Sequence, residues 1–415
     1  MKYRLPLLFF VSCFFITETF AQQPSVNIKL PAGFQADVIA RSLGRPRHIV
    51  VNSNGDIYVK LERVLNGKGI IRLRDRNKDG KIDDTTGFGN YGGTGIAIKN
   101  GYLYASSNSE VFRYKMENNE VTNPNNPERI ITGLVDGSQH NTKSIALDND
   151  GNIFVNIGAP SNSCQEQDRT NGSMGKDPCP ILETAGGIWE FKADKKDQSY
   201  SEGVHYASGI RNVVGLDWNT VTNTLFVMQH GRDQLNMFPQ YYNDQQSADL
   251  PAEEMLEVKK GSNFGWPYCY YDDVQHKKIL APEYGGDSKK QGRCSNVDTP
   301  VIAFPAHLAP NGLLFYTGKQ FPEKYRNGAF IAFHGSWNRA PLPQKGYFVV
   351  FVPFKNGKPS GPWEIFADGF AGKEVVTTTR EAQYRPCGLA QGPDGSLYVT
   401  DDNKGNIWKI SYKGK

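Results

Sequence analysis

The chain has 415 residues, and its 47 lysine and arginine residues nearly balance 43 aspartate and glutamate residues, for a formal net charge of +4 at pH 7. No stretch combines a dense basic run with a nucleic-acid-binding pattern, so the charge does not predict a nucleic-acid partner. The length suits either two or three average domains or one large all-β unit.

The N-terminal segment has the layout of a secretory signal peptide. Lys2 and Arg4 precede an apolar run over residues 5–16, and a small-residue ending follows at residues 19–21. The apolar run is about half the length that a membrane span needs. We therefore predict a signal peptide over residues 1–21, no membrane span after its removal, and a periplasmic or secreted mature chain over residues 22–415. A permanent membrane anchor is the alternative interpretation.

A short pattern recurs six times along the chain, in which a turn residue precedes an alternating apolar strand. The copies read NGDIYV (54–59), NGYLYA (100–105), DGNIFV (150–155), TNTLFV (222–227), NGAFIAF (327–333) and DGSLYV (394–399). Turn residues followed by strands rich in Ile, Tyr, Phe and Val are typical of β-hairpins. Six copies predict an all-β fold, a six-bladed β-propeller formed by one domain over residues 22–415.

The spacing of the copies and the pattern between them indicate where loops are inserted and which other folds are disfavoured. The spacing widens after the third copy, which predicts inserted loops in the later blades, where functional residues often lie. No long segment has 3.6-residue apolar periodicity, which disfavours α/β folds. Because a closed ring leaves few exposed sheet edges, we expect the strand near residues 34–39 to complete the last blade beside residues 406–410.

Residues 75–83, DRNKDGKID, reproduce the start of an EF-hand-like calcium loop. Asp75, Asn77 and Asp79 would be its ligands. Position twelve is Thr86 rather than the bidentate glutamate of such loops. A weak calcium loop and a polar hairpin turn both remain open.

His140 lies in the run GSQHN (137–141), just before one of the strand repeats. This position predicts a connection at one rim of the propeller. A neutral imidazole there could take a proton from a hydroxyl group near neutral pH. For a loop histidine considered alone, a solvated side chain without function is the alternative.

Five cysteines follow the predicted signal peptide: Cys164, Cys179, Cys269, Cys294 and Cys387. The spacing does not fit a zinc site, because no C-x-x-C pair or Cys/His cluster is present. Two local pairs would each bracket a polar loop in an oxidising compartment. We predict disulfides joining Cys164 to Cys179 and Cys269 to Cys294, with Cys387 left free.

The chain resembles the quinoprotein glucose and sorbosone dehydrogenase family, most closely its sorbosone dehydrogenase-like branch. The matching segments are RPRHIVVNSNGDIYVK (45–60), HNTKSIALDNDGNIFVNIGAPSN (140–162), GIRNVVGLDWN (209–219), QHGRD (229–233), NFGWPYC (263–269), HGSWNR (334–339) and RPCGLAQGPDGSLYVTDD (385–402). HGSWNR and NFGWP discriminate best. The resemblance implies a dehydrogenase that uses pyrroloquinoline quinone (PQQ) and Ca²⁺, a sugar substrate and an external electron acceptor.

The resemblance assigns the catalytic base to His140, which precedes the family pattern S-I-A-x-x-x-D-G. Glucose-specific members place an aspartate immediately before this histidine, whereas this chain has Gln139. A glutamine cannot stabilise an imidazolium as a carboxylate does. Whether Gln139 or Asp136 orients His140 is left open.

The resemblance also places cations and hydrogen-bond donors around the carboxylates of the cofactor, a role that suits arginine. The candidates are Arg47, Arg211, Asn212, His334, Asn338, Arg339 and Arg385. A single rim arginine is more simply a solvated charge. Four arginines in separate rim loops favour an anionic cofactor.

The same resemblance also implies that the protein binds calcium. The backbone carbonyls of Gly231 and Arg232 match a family pair that contributes to its coordination, and Glu254 matches a position associated with a second, structural calcium. An ordinary surface acid is the alternative interpretation of Glu254.

Two other classes of function are compatible with a propeller. A calcium-dependent hydrolase such as a lactonase would need acidic side chains at the rim, and a non-catalytic binding propeller needs no base at all. The chain has neither a C-x-x-C-H haem motif nor a G-x-G-x-x-G motif in a nucleotide-binding context, so electrons would leave to a separate acceptor. Loops near residues 160–180, 232–252 and 270–298 are expected to determine which sugar is bound.

Overall fold

In the computed structural model, which describes residues 27–414, each of the six sequence repeats forms the second strand of an antiparallel sheet. The turn at the start of each copy contains a residue in the left-handed conformation: Gly55, Gly101, Gly151, Asn223, Asn327 and Gly395. Glycine and asparagine tolerate this conformation best. The recurring Gly or Asn is therefore the residue that starts each hairpin.

The six sheets are the blades of a propeller, which confirms the predicted fold class. Blade 1 comprises β2 (Pro46–Val51), β3 (Ile57–Leu65), β4 (Lys68–Arg74) and β5 (Asp84–Phe88). Blade 2 comprises β6 (Ile96–Lys99), β7 (Tyr102–Ser106), β8 (Val111–Glu117), the short β9 (Glu120–Val121) and β10 (Glu128–Thr132). Blade 3 comprises β11 (Ile145–Leu147), β12 (Asn152–Ile157), β13 (Gly187–Lys192) and β15 (Val204–Ser208).

Blades 4 to 6 follow the same order with longer insertions. Blade 4 comprises β16 (Val213–Asn219), β17 (Thr224–Gln229), β18 (Glu253–Val258) and β22 (Ile302–Phe304). Blade 5 comprises β23 (Pro310–Tyr316), β24 (Gly328–Phe333), β25 (Phe348–Lys355), β26 (Lys358–Pro359) and β27 (Glu364–Ala367). Blade 6 comprises β28 (Pro386–Gln391), β29 (Leu397–Asp401), β30 (Ile407–Tyr412) and the N-terminal β1 (Phe34–Ala40).

The remaining elements lie at blade edges and in the connections. The short strands β14 (Gln198–Ser199) and β19 (Ser262–Asn263) extend blades 2 and 3, and β20 (Cys269–Asp272) with β21 (Lys277–Leu280) forms a separate hairpin. Within residues 27–414 the one α-helix is α1 (Asp244–Asp249), and no helix of this part is long and apolar enough to cross a membrane. Short 3₁₀ turns occur at Pro180–Glu183, Tyr200–Glu202, Leu235–Met237, Pro282–Tyr284, Gly292–Asn296, Glu323–Tyr325 and Thr379–Glu381.

The hydrophobic core is divided among the interfaces between neighbouring blades. Six clusters of buried side chains each combine residues from two adjacent blades. Neighbours along one strand face opposite clusters: Tyr58 packs toward blade 2, and Val59 packs toward blade 6. The second strand of a blade is thus buried on both faces, which explains its nearly continuous apolar sequence.

The ring closes through β1 and β30, as the sequence predicts. Their antiparallel register pairs Phe34 with Tyr412 and Ala40 with Ile407. The Phe34 ring contacts four aromatic rings, those of Phe321, Tyr325, Phe366 and Tyr412, at centroid distances of 4.8, 5.5, 5.0 and 5.0 Å. The N-terminal strand therefore ties blade 6 to the aromatic core of blade 5.

Both predicted disulfides are present in the structure. Cys164 is bonded to Cys179 and Cys269 to Cys294, while the buried Cys387 is free. The first pair closes a loop between β12 and β13, and the second closes the β20–β21 hairpin against the following turn. The predicted signal peptide lies outside the described residues.

Removal of the closing aromatic contact is expected to weaken the whole ring. Phe34→Ala should lower the free energy of unfolding by about 3 kcal/mol, toward the lower end of the range for phenylalanine-to-alanine substitutions in cores. Val64→Ala is the control, because this valine side chain is exposed and should change stability by less than about 0.5 kcal/mol. Urea unfolding followed by intrinsic fluorescence measures both, and equal effects of the two substitutions would contradict closure through Phe34.

Candidate active site

The antiparallel order of the strands brings two kinds of connection to one end of the central axis: those from the second to the third strand, and those from one blade to the next. We call this end the upper face. All candidate residues for the base and for cofactor binding lie in these connections or at the adjoining strand ends. The Asp75–Asp79 loop follows β4 and lies at the opposite end.

A pocket of about 200 Å³ opens on the upper face. Its lining comes from blades 3, 4 and 5 and the connections that lead into them, and it combines histidines, arginines and acids: His140, Arg169, Arg211, Asn212, His230, Gly231, Asp233, Glu253, His307, Ala309, Ser336, Trp337 and Asn338. A larger cavity of about 360 Å³ opens at the other end of the axis, where mostly aliphatic residues of the innermost strands line it. We take the upper pocket as the candidate site because its polar groups converge.

His140 is held in one orientation by a backbone carbonyl. Its Nδ1 lies 2.6 Å from the carbonyl oxygen of Ala159. A carbonyl can only accept, so Nδ1 carries the proton and Nε2 keeps a free lone pair. Burial, reinforced by the positive charge of Arg211, lowers the pKa of His140 to about 3. The imidazole is therefore neutral near pH 7, with the Nε2 lone pair available.

Gly158 permits this arrangement. A Cβ at this position would lie 2.5 Å from the carbonyl oxygen of His140 and 2.8 Å from Oδ1 of Asn212. His140 itself has a φ of +52°, a conformation that few non-glycine residues adopt. The close approach of two backbones thus fixes the histidine in a strained position, as is common at functional sites.

Neither residue considered as the orienting partner of His140 makes the hydrogen bond to its ring. Gln139 instead donates from Nε2 to Asp168 at 2.7 Å and accepts at Oε1 from Nε of Arg169 at 2.9 Å. Within residues 27–414, no hydrogen bond joins Asp136 to the imidazole. The partner is the carbonyl of Ala159, which sequence reasoning could not identify because a backbone acceptor leaves no side-chain signal.

Arg211 and Asp233 form the charged wall of the pocket. Nη2 of Arg211 donates to Oδ2 of Asp233 at 2.7 Å, and Nη1 donates to the carbonyl of Gly231 at 3.1 Å. Arg169 donates to the same Asp233 oxygen at 2.9 Å. Burial alone would raise the pKa of Asp233, but Arg211 and neighbouring cations lower it to about 2. Sequence reasoning missed the roles of Asp233 and Arg169, although Asp233 stands inside the QHGRD motif.

Three buried polar atoms at this pocket have no hydrogen-bond partner among the described residues. They are Nε of Arg211, Oδ1 of Asn212 and Nε2 of His230. A buried polar atom left without a partner costs on the order of 1–3 kcal/mol. Their clustering at one pocket fits a polar ligand, and the Nε–H of Arg211 would donate to an acceptor oxygen such as those of the carboxylates and quinone of PQQ.

A second charged cluster lies beside the pocket around Asp402. Its two oxygens bond Nη1 of Arg47 and Nε2 of His334, each at 2.6 Å. Arg385 donates to the carbonyls of His334 and Gly335 at 3.1 and 2.8 Å. These predicted cofactor residues do not line the pocket in this structure. They hold the HGSWNR segment against blade 6.

Arg339 differs most from its predicted role. Its guanidinium is buried and donates to the carbonyls of Ala248 and Pro343 and to the carboxylate of Asp249. It therefore fastens α1 to the HGSWNR segment, outside the pocket lining. From the same segment, Asn338 does line the pocket and donates to Asp233 at 3.3 Å, and the indole of Trp337 is 57% exposed at the rim.

Glu254 is paired with a buried lysine. Its carboxylate accepts from Nζ of Lys278 at 2.6 Å and from Nε2 of Gln229 at 2.8 Å. Both charged side chains are almost fully buried, at 1% and 2% exposure. Glu254 is therefore not a surface acid, and Lys278 already balances the charge of its carboxylate.

The remaining calcium candidates are the carbonyls of Gly231 and Arg232 and the Asp75 loop. The carbonyl of Gly231 faces Arg211, while the side chain of Arg232 turns away to a buried pair with Glu283. In the Asp75 loop, Asp75 and Asp79 accept hydrogen bonds from backbone amides of the same turn, as in a polar hairpin turn. No cluster of three or more His, Cys, Asp or Glu residues suited to a metal occurs in residues 27–414.

Comparisons with known proteins agree with this fold. A PQQ-dependent sugar dehydrogenase of Hypocrea jecorina is 23% identical, with 93% of this chain and 91% of that protein covered. A PQQ-dependent pyranose dehydrogenase of Coprinopsis cinerea is 24% identical over 97% of this chain, which spans only 56% of that longer protein. A solved structure of the Trichoderma reesei Carbohydrate-Active Enzymes Family AA12 superposes with a TM-score of 0.75 at 21% identity, covering 93% of this chain and 98% of that one.

A family model completes the comparison. The model described as TrAA12-like matches residues 28–413, which is nearly the whole described chain. The resemblance inferred from the sequence motifs is thereby confirmed at the level of the family. The chain belongs to the TrAA12-like family.

Proposed function

We propose that this protein is a quinoprotein that oxidises a sugar hydroxyl or hydrated aldehyde with PQQ and Ca²⁺, and that it passes the electrons to an external acceptor. One observation carries the proposal: a neutral histidine with a free Nε2 shares a pocket with the unpartnered buried atoms of Arg211, Asn212 and His230. Membership of the TrAA12-like family supports it. The PQQ-dependent names of the relatives support the choice of cofactor.

The residues of the pocket would divide the work between binding and proton transfer. PQQ, when bound, supplies a two-electron acceptor for the hydride that leaves the sugar carbon, and Ca²⁺ would polarise it. Arg211, Asn212 and His230 would bind its polar groups. His140 would take the hydroxyl proton at Nε2, while the Ala159 carbonyl keeps Nδ1 protonated and the ring oriented.

The carbonyls of Gly231 and Arg232 remain the proposed calcium ligands. The Gly231 carbonyl is at the pocket, and oxygen ligands from the backbone suit this hard cation. Glu254 and the Asp75 loop are not part of this proposal, since the first is neutralised by Lys278 and the second lies at the opposite end of the propeller.

The two disulfides are the basis for the proposed cellular compartment. Cys164–Cys179 and Cys269–Cys294 fit an oxidising environment. Together with the signal-peptide layout of residues 1–21, they support export to the periplasm or the medium.

Reconstitution tests the whole proposal. Purified protein mixed with PQQ and Ca²⁺ should develop the absorbance of a bound quinone, and addition of an aldose should bleach it. Stripping calcium with a chelator and restoring it should abolish and recover the bleaching. Absence of both signals at saturating PQQ and sugar would refute the proposed function.

Removal of the base should separate chemistry from binding. His140→Ala should still bind the quinone, because the proposed cofactor contacts come from other residues. Sugar-dependent reduction should slow by about 10²- to 10⁴-fold, the usual contribution of a general base. Stopped-flow spectroscopy at saturating sugar measures this rate.

His276→Ala is the matched control, since this imidazole is exposed on the β20–β21 hairpin. Because the pKa of His140 is about 3, the base stays unprotonated on acidification and the wild-type rate should show no loss between pH 8 and pH 5 from this group. Reduction by His140→Ala within threefold of the wild-type rate would exclude it as the base.

The cofactor contacts are tested by binding alone. Arg211→Ala should weaken PQQ affinity at least tenfold, because a desolvated charge contact is lost. Lys404→Ala removes a cation from a turn of blade 6 away from the pocket lining and should leave the affinity unchanged. Fluorescence titration with PQQ measures both, and coincident curves for the two variants would reject the assignment of Arg211.

A further inference from the structure

An inserted loop between β12 and β13 reaches over the upper face beside His140. The Cys164–Cys179 disulfide closes it, and a bridge between Gln165 and Gly175 makes it a small hairpin. Asp168 and Arg169 lie between these two bridging residues. The disulfide therefore anchors a loop that places Arg169 at the pocket.

Arg169 is held by three side chains from two other parts of the ring. Nε donates to Gln139 at 2.9 Å, Nη1 to Gln234 at 3.0 Å and Nη2 to Asp233 at 2.9 Å. A guanidinium has five N–H groups, so one remains on each Nη atom. The side chain is 26% exposed and lines the pocket that also contains His140. Two fixed donors are thus left for a ligand.

The charges around Arg169 indicate what these donors can bind. Oδ2 of Asp233 accepts hydrogen bonds from both Arg169 and Arg211, at 2.9 and 2.7 Å. Asp233 already neutralises part of the charge of these two guanidiniums, so Arg169 does not need a charged ligand. Neutral hydroxyl groups can accept from the two N–H groups and donate to Asp233. The chemistry therefore suits adjacent hydroxyls of a neutral sugar.

Asp168 fixes the positions of Arg169 and Gln139 relative to each other. Its Oδ1 accepts from Oγ of Ser161 at 2.5 Å and from the backbone amide of Asn162, and its Oδ2 accepts from Gln139. Arg169 has a φ of +55° and its amide donates to Gln165. The guanidinium is therefore positioned before any ligand arrives, which is the condition for selective hydrogen bonding.

We propose that Arg169 determines sugar specificity, its two free N–H groups binding adjacent hydroxyls of the sugar whose reacting hydroxyl faces His140. The inference rests on the proposed function for the identity of the substrate as a sugar. According to this proposal, the disulfide-closed loop holds the Arg169 guanidinium in the pocket.

Deoxy sugars test the contact directly. The kcat/KM of the quinone-loaded protein is measured for glucose and its 2-, 3- and 4-deoxy analogues, in wild type, Arg169→Met and Arg169→Lys. In wild type, at least one deoxy analogue should react about ten- to a hundredfold more slowly than glucose, as expected for a lost hydrogen bond to a charged group. In Arg169→Met, that analogue and glucose should become nearly equal. Arg169→Lys keeps the positive charge but lacks the planar guanidinium with its paired donors, so it should retain only part of the discrimination between glucose and the deoxy analogue.

Arg293→Ala is the matched control. Arg293 pairs with Asp177 of the same disulfide-closed loop, on its solvent side. If Arg169 acted only by anchoring the loop, Arg293→Ala and Arg169→Met would lower kcat/KM by similar factors for every sugar. Such uniform losses, or unchanged discrimination in Arg169→Met, would overturn the proposal. A selective loss of glucuronate relative to glucose in Arg169→Met would also overturn it, in favour of carboxylate binding.

Calorimetric titration with the same sugars separates this inference from the proposed function. Sugar binding that loses its deoxy discrimination in Arg169→Met, without any turnover in wild type, would support the Arg169 contact and contradict only the quinoprotein reaction. Normal turnover with unaltered discrimination would contradict only the Arg169 contact. PQQ titration and the melting temperature of each variant show that fold and cofactor site are intact.

Discussion

The burial of each blade between two neighbours is the constraint on which the rest of the molecule depends. Adjacent residues of one strand, such as Tyr58 and Val59, enter different inter-blade clusters, so the second strand of each blade has no solvated face. An unpaired polar side chain placed there would cost several kcal/mol. Chemistry is therefore confined to the two ends of the axis, where connections can carry histidines, arginines and acids without disturbing the core.

The same burial sets the electrostatics of the upper face. Desolvation keeps His140 and His230 neutral, with pKa values lowered to about 3, whereas Asp233 stays ionised because arginines lie beside it. Glu253, which meets two backbone amides but no cation among its hydrogen-bond partners in the described chain, has its pKa raised by burial to about 7. One pocket thus contains a neutral base, fixed cations and an ionised acid, each determined by its immediate contacts rather than by residue type.

The insertions distinguish this chain from a plain propeller. The loop that carries Arg169 extends blade 3, while the β20–β21 hairpin belongs to an insertion in blade 4, and each is closed by a disulfide. Loops of this length would otherwise sample many conformations, and a covalent closure lowers the entropy cost of ordering them. Glu283 of the second insertion accepts a hydrogen bond from Oγ of Ser163 in the first at 3.0 Å, and it forms a buried ion pair with Arg232 of the β17–β18 connection, so the two insertions support each other beside the pocket.

The sequence by itself determined the blade count, the ring closure, both disulfides and the position of His140 at a rim, because turns with Gly or Asn, period-two strands and local cysteine pairs are short-range features. Tertiary structure decided which rim charges meet. Arg339, Arg47 and Arg385 looked equivalent to Arg211 in the sequence, yet only Arg211 lines the pocket. No sequence pattern indicated the contacts of Ala159 with His140 and of Arg169 with Gln139. Glu254 pairs with the ammonium group of Lys278, 24 residues away along the chain. These pairings join residues distant along the chain, and a one-dimensional pattern does not encode which of several similar charges the packing brings together.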